Sequence, residues 1–403
     1  MKYLVLVPDG MADEKVKELG DLTPMQKANK PYMDMLAKKA YVGTVSNVPE
    51  GMVPESDTAN MAIMSFDPKE FSKGRSPLEA LSMGLSMSDE DTAIRCNIIT
   101  LSEEQENYED RILLDNSADE ISTEEADELV KAINEKLATE RKHLYTGMSY
   151  KHCFMIKTDM DRYNFARPHD IINQRIGDFL PRVSDGGAEF LEFMKASYDI
   201  LNDHPVNIAR RARGLKPGNA LWLWSPGKKP ALPSFKKKWG INASVISATD
   251  LIKGIAICAE MNSIDVEGVT ANVHTNYTGK ANAAIEAFKN GSDYVYVHVE
   301  APDECGHRAE IENKVLSIEL IDQKILKPVY EYLKESGEDF KIMVLPDHPT
   351  PLRIRTHTIT PVPFFIYSSN AEQDGVDGFD EFSAANTGVY VRDGYRLMET
   401  LVK

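Results

Sequence analysis

Six side chains in this 403-residue sequence bring carboxylate oxygen and imidazole nitrogen together at short spacing. They are Asp9 in Pro8-Asp9-Gly10, Asp303 and His307 in Pro302-Asp303-Glu304-Cys305-Gly306-His307, Asp347 and His348 in Pro346-Asp347-His348-Pro349, and His357 in Arg355-Thr356-His357-Thr358. Oxygen and nitrogen donors of this kind suit Zn²⁺ or Mn²⁺. A lone aspartate after a strand is usually a turn or helix cap, and a lone histidine beside proline is usually a hydrogen-bonded structural residue. The conjunction of three such aspartates with three nearby histidines is what points to metal. A nucleophile candidate sits in Pro54-Glu55-Ser56-Asp57-Thr58-Ala59-Asn60-Met61, a polar turn entering an Ala/Met-rich helix. A hydroxyl at a helix start can carry an anionic group, because free N–H groups and the macrodipole favour negative charge there. Ser56 or Thr58 acting only as an N-cap is the plainer alternative. A divalent ion within bonding range would activate the hydroxyl by lowering its pKa.

The three aspartates share one design. Each follows an apolar, β-rich run: Tyr3 to Val7, Tyr294 to Val299, and Ile342 to Leu345. Continuous apolar runs bounded by proline and polar residues read as strands buried on both faces of a parallel sheet. Such sheets carry their sites beyond the carboxyl ends of the strands, so the aspartates are expected to gather along one edge. Three- and four-residue apolar spacings predict helices over Met25 to Ala40, Gly279 to Lys289 and Asn313 to Glu335. The middle of the chain has its own alternation, with a strand near Ala93 to Thr100 and a helix over about Thr123 to Leu137. Further strand and helix signals follow near His152 to Lys157, Gly187 to His204 and Ala220 to Trp224. The fold class expected is therefore α/β, with residues 1–87 and 235–403 forming a split sheet domain and residues 88–234 an inserted smaller α/β domain. The proline-rich stretch 226–233 serves as return linker.

Composition narrows the function classes. The 46 Lys+Arg against 63 Asp+Glu give a formal charge of −17, which argues against nucleic acid or an anionic membrane as partner. The four scattered cysteines form no CxxC pair and read as reduced thiols. No apolar run reaches the length that spanning a membrane needs, and a cytoplasmic location is expected.

Taken together, Asp9, Ser56-Asp57, Ala301-Pro302-Asp303 with His307, and Asp347-His348 with His357 resemble the alkaline phosphatase superfamily. The nearer resemblance is to its cofactor-independent phosphoglycerate mutases of archaeal type, and it extends to Pro24-Met25, Gly74-Arg75-Ser76-Pro77 and the Phe235 to Gly254 stretch. The resemblance implies an alkaline-phosphatase-like fold and two divalent ions, Mn²⁺ or Zn²⁺ or, alternatively, Mg²⁺. One ion would be held by Asp303, His307 and His357, the other by Asp9, Asp347, His348 and Ser56. It implies a glycolytic isomerase in which Ser56 takes the phosphoryl group from 3-phosphoglycerate and returns it to the 2-hydroxyl, with the inserted domain excluding water. A small phosphorylated substrate would be gripped by cations of the insertion: Arg210 and Arg213 first, then Arg95, Lys151 and Arg162.

Three departures bear on the phosphoryl acceptor. Glu55 stands where many relatives have glycine, and His274 stands where an acid is common. The stretch Leu221 to Pro230 resembles a bacterial branch proposed to phosphorylate homoserine. A phosphotransferase of homoserine kinase type, or a phosphate or phosphonate ester hydrolase, is thus the alternative to the mutase.

Overall fold

The computed structural model describes residues 1–403. The chain divides into two compact units, Met1–Ser72 with Ala231–Lys403, and Lys73–Pro230. Thirteen strands run through them. The first seven are β1 (Lys2–Pro8), β2 (Ala40–Val45), β3 (Asp91–Leu101), β4 (Leu113–Asp115), β5 (Lys142–Tyr145), β6 (Lys151–Lys157) and β7 (Ala220–Lys228). The remainder are β8 (Ala243–Ile246), β9 (Asn262–Ile264), β10 (Tyr294–Val299), β11 (Phe340–Val344), β12 (Val362–Ser368) and β13 (Tyr390–Val391).

The first unit is built on an eight-stranded sheet in the order β13-β2-β12-β11-β1-β10-β8-β9. The three Pro-Asp strands are neighbours at its centre: β1 pairs in parallel with β11 on one side and β10 on the other. Their register aligns Leu6 with Val344 and Val7 with His298, so the chain leaves all three strands at one edge. Alternation then assigns faces. Leu4, Leu6, Val295, Val297, Ile342 and Val344 join a buried cluster with Ala281, Ala284, Ile318 and Ile321, from the helices Tyr277–Lys289 and Ile311–Ile321. Tyr294, Tyr296 and His298 point the other way. Tyr294 meets Phe235 at a ring separation of 5.0 Å, and Tyr296 reaches Asn60 of the helix Ser56–Ile63. That helix therefore lies on the same sheet face as His298.

Several expectations change in detail. The helix expected over Met25 to Ala40 is two short helices, Pro24–Lys27 and Pro31–Ala37, followed by β2. Ala28 takes an extended backbone, and Pro31 starts the second helix because proline suits the first helical turn. Buried Asp322 accepts hydrogen bonds from the backbone N–H groups of Tyr32 and Met33 and so holds that second start. Asp322 opens a π-helical segment, Asp322–Leu326, between the helices Ile311–Ile321 and Lys327–Glu335.

The second unit holds a five-stranded sheet. β3 is paired antiparallel by β6 and β7 along its length and by β4 at its end, while β5 pairs β6. The helix Thr123–Leu137 is capped by Ser122 and buries Ala126, Leu129, Val130 and Ile133, an i, i+3, i+4, i+7 stripe. The entry point of this unit is earlier in the chain than the expected residue 88. The helix Ser76–Ser82 belongs to the insertion, since Ser76 donates to the Ser225 carbonyl and Glu79 pairs with Arg95. No helix of the chain is long and apolar enough to cross a membrane.

One buried group gives the insertion a pH dependence. His152 on β6 is almost fully buried, with Nδ1 accepting from Gly147 N–H at 3.1 Å and Nε2 lacking a partner. Burial, partly opposed by Asp127, pushes its pKa from 6.5 down to about 4. The native state thus holds the neutral ring while the unfolded chain takes up a proton near 6.5, so stability is present above that pH and is lost as pH falls toward 4. Between pH 7 and pH 5 the loss is about 2 kcal/mol. In denaturant titrations at the two pH values, His152→Gln should lose less stability than the unsubstituted protein by about that amount; equal losses would contradict the assignment.

Candidate metal centre

The strand ends assemble the acids. Asp9 follows β1 directly, Asp303 lies in the first turn of the helix Ala301–Arg308 after β10, and Asp347 follows β11 after Leu345 and Pro346. Gly10 makes the crowding sterically feasible: its φ is +60°, and a Cβ there would lie 2.8 Å from the Asp303 backbone. Gly10 N–H and His348 N–H both donate to Asp347 Oδ1, at 3.1 and 2.9 Å, fixing one carboxylate oxygen and turning the other toward the cluster.

Two sets of donors converge. Asp303, His348 and His357 form one group and Asp9, His298 and Asp347 the other, the ligand atoms of each lying within 4.8 Å of one another. His307 joins the first. Its Nε2 is 3.2 Å from Asp303 Oδ2 and 2.9 Å from His357 Nε2, which is itself 3.3 Å from Asp303 Oδ1. The outward nitrogens of both rings face backbone carbonyls, Arg355 O at 3.0 Å for His307 and Pro54 O at 2.6 Å for His357. A carbonyl only accepts, so both Nδ1 atoms carry the proton and both Nε2 lone pairs point inward. Facing nitrogens 2.9 Å apart beside a carboxylate need a positive charge between them, a proton in the free protein or a metal ion when one is bound. In the second group Asp9 Oδ1 and His298 Nε2 are buried with no hydrogen-bond partner. The donor chemistry and these orphaned atoms fit divalent metal ions.

Ser56 is the first residue of its helix, with Glu55 in extended conformation before it. Its Oγ lies 3.2 Å from His348 Nε2, which is 3.7 Å from Asp9 Oδ1 and 3.4 Å from Asp347 Oδ2. Thr58 is buried within the helix. All seven residues from Asp9 to His357 named from the sequence therefore meet at one edge of the central sheet.

Electrostatics follow from the crowding. Burial, reinforced by Asp347 and Asp303, raises the Asp9 pKa well above the ordinary carboxyl value. Burial also opposes ionisation of Asp303, but the hydrogen bonds of His307 and His357 outweigh it and hold the carboxyl well below its usual range. The bond with Asp303 in turn pushes His307 up to about 9. Burial lowers His298, yet Asp9 and Glu300 on either side bring it up to about 10, so without a cation at the cluster Nε2 holds a proton that a metal ion would displace.

Several residues of the site carried no signal in the sequence reading. Asn60 donates at 2.8 Å to both the Ser56 carbonyl and Asp347 Oδ2, and accepts from Tyr296, tying the serine helix to β10 and β11. Thr350 Oγ1 donates to Asp303 Oδ1, and the Thr350 carbonyl accepts from Lys314 Nζ, which also binds Asp13 at 2.7 Å. On the opposite side Lys280 binds Glu300 at 2.6 Å. Asn60 on a small-residue helix and lysines on amphipathic helices read as ordinary cap or surface residues until the sheet brings them together.

The cations expected in the insertion divide differently. Arg210 is buried, donating to Glu125, to Ala118 O and, at 2.9 Å, to Lys216 O, so its guanidinium is spent on the insertion's own structure. Its expected substrate role is corrected on that ground. Arg95 is likewise held by Glu79, and lies over Trp224 at 4.6 Å. Arg213 is half exposed and shares Glu125. Lys151 is exposed, as is Arg162, which lines a cavity of about 720 Å³ within the insertion together with Tyr163 and Arg182. The Leu221 to Pro230 stretch is mostly β7. Trp222 is buried with Nε1 donating to Ala166 O, and Trp224 donates to Asn97, both at 2.9 Å, so the tryptophans serve the insertion's sheet. His274 is exposed.

A mixed sheet with a parallel centre, interrupted by an inserted α/β unit and carrying acids and imidazoles at its central strand ends, is the arrangement that the sequence resemblance implies. Residues 37–207 match the family model described as 2,3-bisphosphoglycerate-independent phosphoglycerate mutase. The chain is 43% identical over 406 residues to the 2,3-bisphosphoglycerate-independent phosphoglycerate mutase of Methanosarcina acetivorans, covering 100% of both. Among solved structures, the PH0037 protein of Pyrococcus horikoshii superposes with a TM-score of 0.81 at 29% identity, over 99% of this chain and 96% of that one. The cofactor-independent phosphoglycerate mutase of Thermoplasma acidophilum gives 0.69 at 26% identity, over 100% and 99%. At this identity over its whole length, the chain belongs to the 2,3-bisphosphoglycerate-independent phosphoglycerate mutase family.

Because the cluster buries several acids, metal binding should stabilise the fold. At free Mn²⁺ or Zn²⁺ about 100 times Kd, each occupied site adds about 2.7 kcal/mol. Differential scanning fluorimetry of chelator-treated protein should show a Tm rise of several degrees on adding either ion, and Asp303→Asn should reduce it; an unchanged Tm with every divalent ion would contradict the centre.

Proposed function

We propose that the chain interconverts 3-phosphoglycerate and 2-phosphoglycerate, without 2,3-bisphosphoglycerate, through a phosphoserine at Ser56. The observation that carries this reading is Ser56 at a helix start, its Oγ 3.2 Å from His348 Nε2 at the margin of the acid and imidazole cluster. In this reading Asp303, His307 and His357 hold one divalent ion and Asp9, Asp347 and His348, with the Ser56 oxygen, hold a second. Mn²⁺, Zn²⁺ or Mg²⁺ bound there would act as Lewis acids on the phosphoryl oxygens and lower the pKa of the serine hydroxyl.

The chain's own groups do the rest. Ser56 Oγ forms the new P–O bond as the bond from phosphorus to the 3-oxygen breaks, leaving glycerate with a 3-hydroxyl. The first-turn N–H groups and the dipole of the helix Ser56–Ile63 favour the phosphoryl anion at that point. Asn60 holds the helix start against Asp347, so the serine keeps its distance from the cluster through both half-reactions. The glycerate 2-hydroxyl then attacks the phosphoserine, the P–O bond to Ser56 breaks, and the proton lost by the 2-hydroxyl returns to Ser56 Oγ, just as the serine proton passed to the 3-oxygen in the first half-reaction. Arg213, Lys151 and Arg162 are the insertion cations proposed for the substrate's carboxylate and phosphate, since Arg210 and Arg95 are committed to internal partners.

The test pairs two assays on metal-loaded protein. Formation of 2-phosphoglycerate from 3-phosphoglycerate is expected, whereas no mutase product, with ADP and phosphohomoserine appearing from homoserine plus ATP, would overturn the reading. Ser56→Ala should lower kcat by about 10⁴-fold or more and abolish the phosphoserine found by peptide mass spectrometry after acid quench. Normal turnover by that variant would move the nucleophile elsewhere, to Thr58 in the first instance.

A further inference from the structure

The sequence pattern and the family resemblance account for seven residues at the cluster, and His298 is not among them. It lies next to last in β10, fully buried, at the position paired with Val7 and so directly beside the end of β1. Its Nδ1 is 3.2 Å from Glu300 Oε1. That same oxygen accepts from Ser247 Oγ at 2.9 Å and from the N–H groups of Ala248 and Thr249 at 2.6 and 3.1 Å. Glu300 Oε2 binds Lys280 Nζ at 2.6 Å, and Lys280, itself fully buried, also donates to the His298 carbonyl at 2.6 Å. So many donors keep Glu300 an anion and an acceptor, which makes Nδ1 the nitrogen that stays protonated and leaves Nε2, facing the opposite way, as the nitrogen that can exchange its proton for a metal ion.

What Nε2 faces is the acid cluster. It has no hydrogen-bond partner although buried, and it approaches Asp9 Oδ2 to 3.3 Å. The other oxygen of Asp9 is also buried without a partner. One donor atom each from Asp9, His298 and Asp347 lies within 4.8 Å of the other two. A carboxylate behind one imidazole nitrogen, with the other nitrogen directed at further acids, is the arrangement in which histidines bind metal ions, the outer carboxylate setting tautomer and ring direction.

We propose that His298 Nε2 is a further ligand of the divalent ion bound by Asp9 and Asp347, with Glu300 and Lys280 as the positioning pair that aims it. This rests on the reading that the strand-end cluster holds divalent ions, and it adds a nitrogen donor to a site otherwise described with Asp9, Asp347, His348 and Ser56. An imidazole nitrogen at that ion would favour Zn²⁺ or Co²⁺ over Mg²⁺.

The test uses the full chain stripped with chelator and titrated with Co²⁺, followed by calorimetry and by visible absorption. Unsubstituted protein is expected to bind two ions. His298→Asn keeps an amide near Nδ1 for Glu300 but cannot reach the Nε2 position. It should weaken one of the two sites by about 10- to 100-fold and change the Co²⁺ visible band of that site, leaving the other unaltered. Glu300→Gln, which leaves the ring in place, should weaken the same site with a smaller spectral change, and it serves as the readout if the asparagine variant does not fold. Two ions bound by both variants with unchanged affinity and unchanged spectra would overturn the proposal. A weakened site with an unchanged spectrum would also overturn it, making His298 an outer hydrogen-bonding residue only. No Co²⁺ bound by the unsubstituted protein would instead defeat the metal reading on which the proposal rests.

Discussion

The structure depends on one electrostatic constraint, the burial of three carboxylates at the ends of adjacent parallel strands. Strands neighbouring in a sheet lie roughly 4.8 Å apart, so acids that follow three of them cannot separate. Asp9 bears the cost most plainly, with burial and the charges of Asp347 and Asp303 all acting against its ionised form. Such a group persists only where cations or donors compensate it. The imidazoles of His298, His307, His348 and His357, the N–H groups on Asp347 and the amide of Asn60 are that compensation from the protein. The inward nitrogens of His307 and His357 and the orphaned atoms on Asp9 and His298 mark where the protein's own groups stop and where the proposed divalent ions would complete the balance.

Behind the donors stand two braces of the same construction. Lys280 and Glu300 support the Asp9 side through His298, while Lys314 and Asp13 support Asp303 through Thr350. Both lysines are fully buried and each is paired with an acid, the condition under which a buried charge is tolerated. Their cost is carried by the hydrophobic layer on the other face of the sheet, where β1, β10 and β11 pack against the helices Tyr277–Lys289 and Ile311–Ile321. Rigidity at the cluster follows from this, because donors held by packed elements stay within the narrow range of geometry that phosphoryl transfer demands.

Much of this was legible in the sequence because the signal was local. Each apolar run ending in Pro-Asp announced both a strand and the acid beyond it, and the three strands are indeed parallel neighbours. What was not legible depended on register or on distant partners. His298 sits between Val297 and Val299 and looks like part of an apolar strand; only its pairing with Val7 sets it beside Asp9. Asn60 acquires its role from Asp347, 287 residues away. Arg210 suggested anion binding through the family resemblance of its segment, but Glu125, 85 residues earlier, holds its guanidinium. The insertion begins earlier than residue 88 for the same reason, since the helix Ser76–Ser82 finds its partners on β3 and β7.

Everything proposed for this site depends on two divalent ions in the strand-end cluster. Anomalous diffraction from crystals grown with Mn²⁺ or Zn²⁺ tests it most directly. Two peaks are predicted, one among Asp303, His307 and His357 and the other between Asp9 and Asp347, within bonding distance of His298 Nε2. An absence of anomalous density at this edge of the sheet, or peaks only at surface acids, would contradict it.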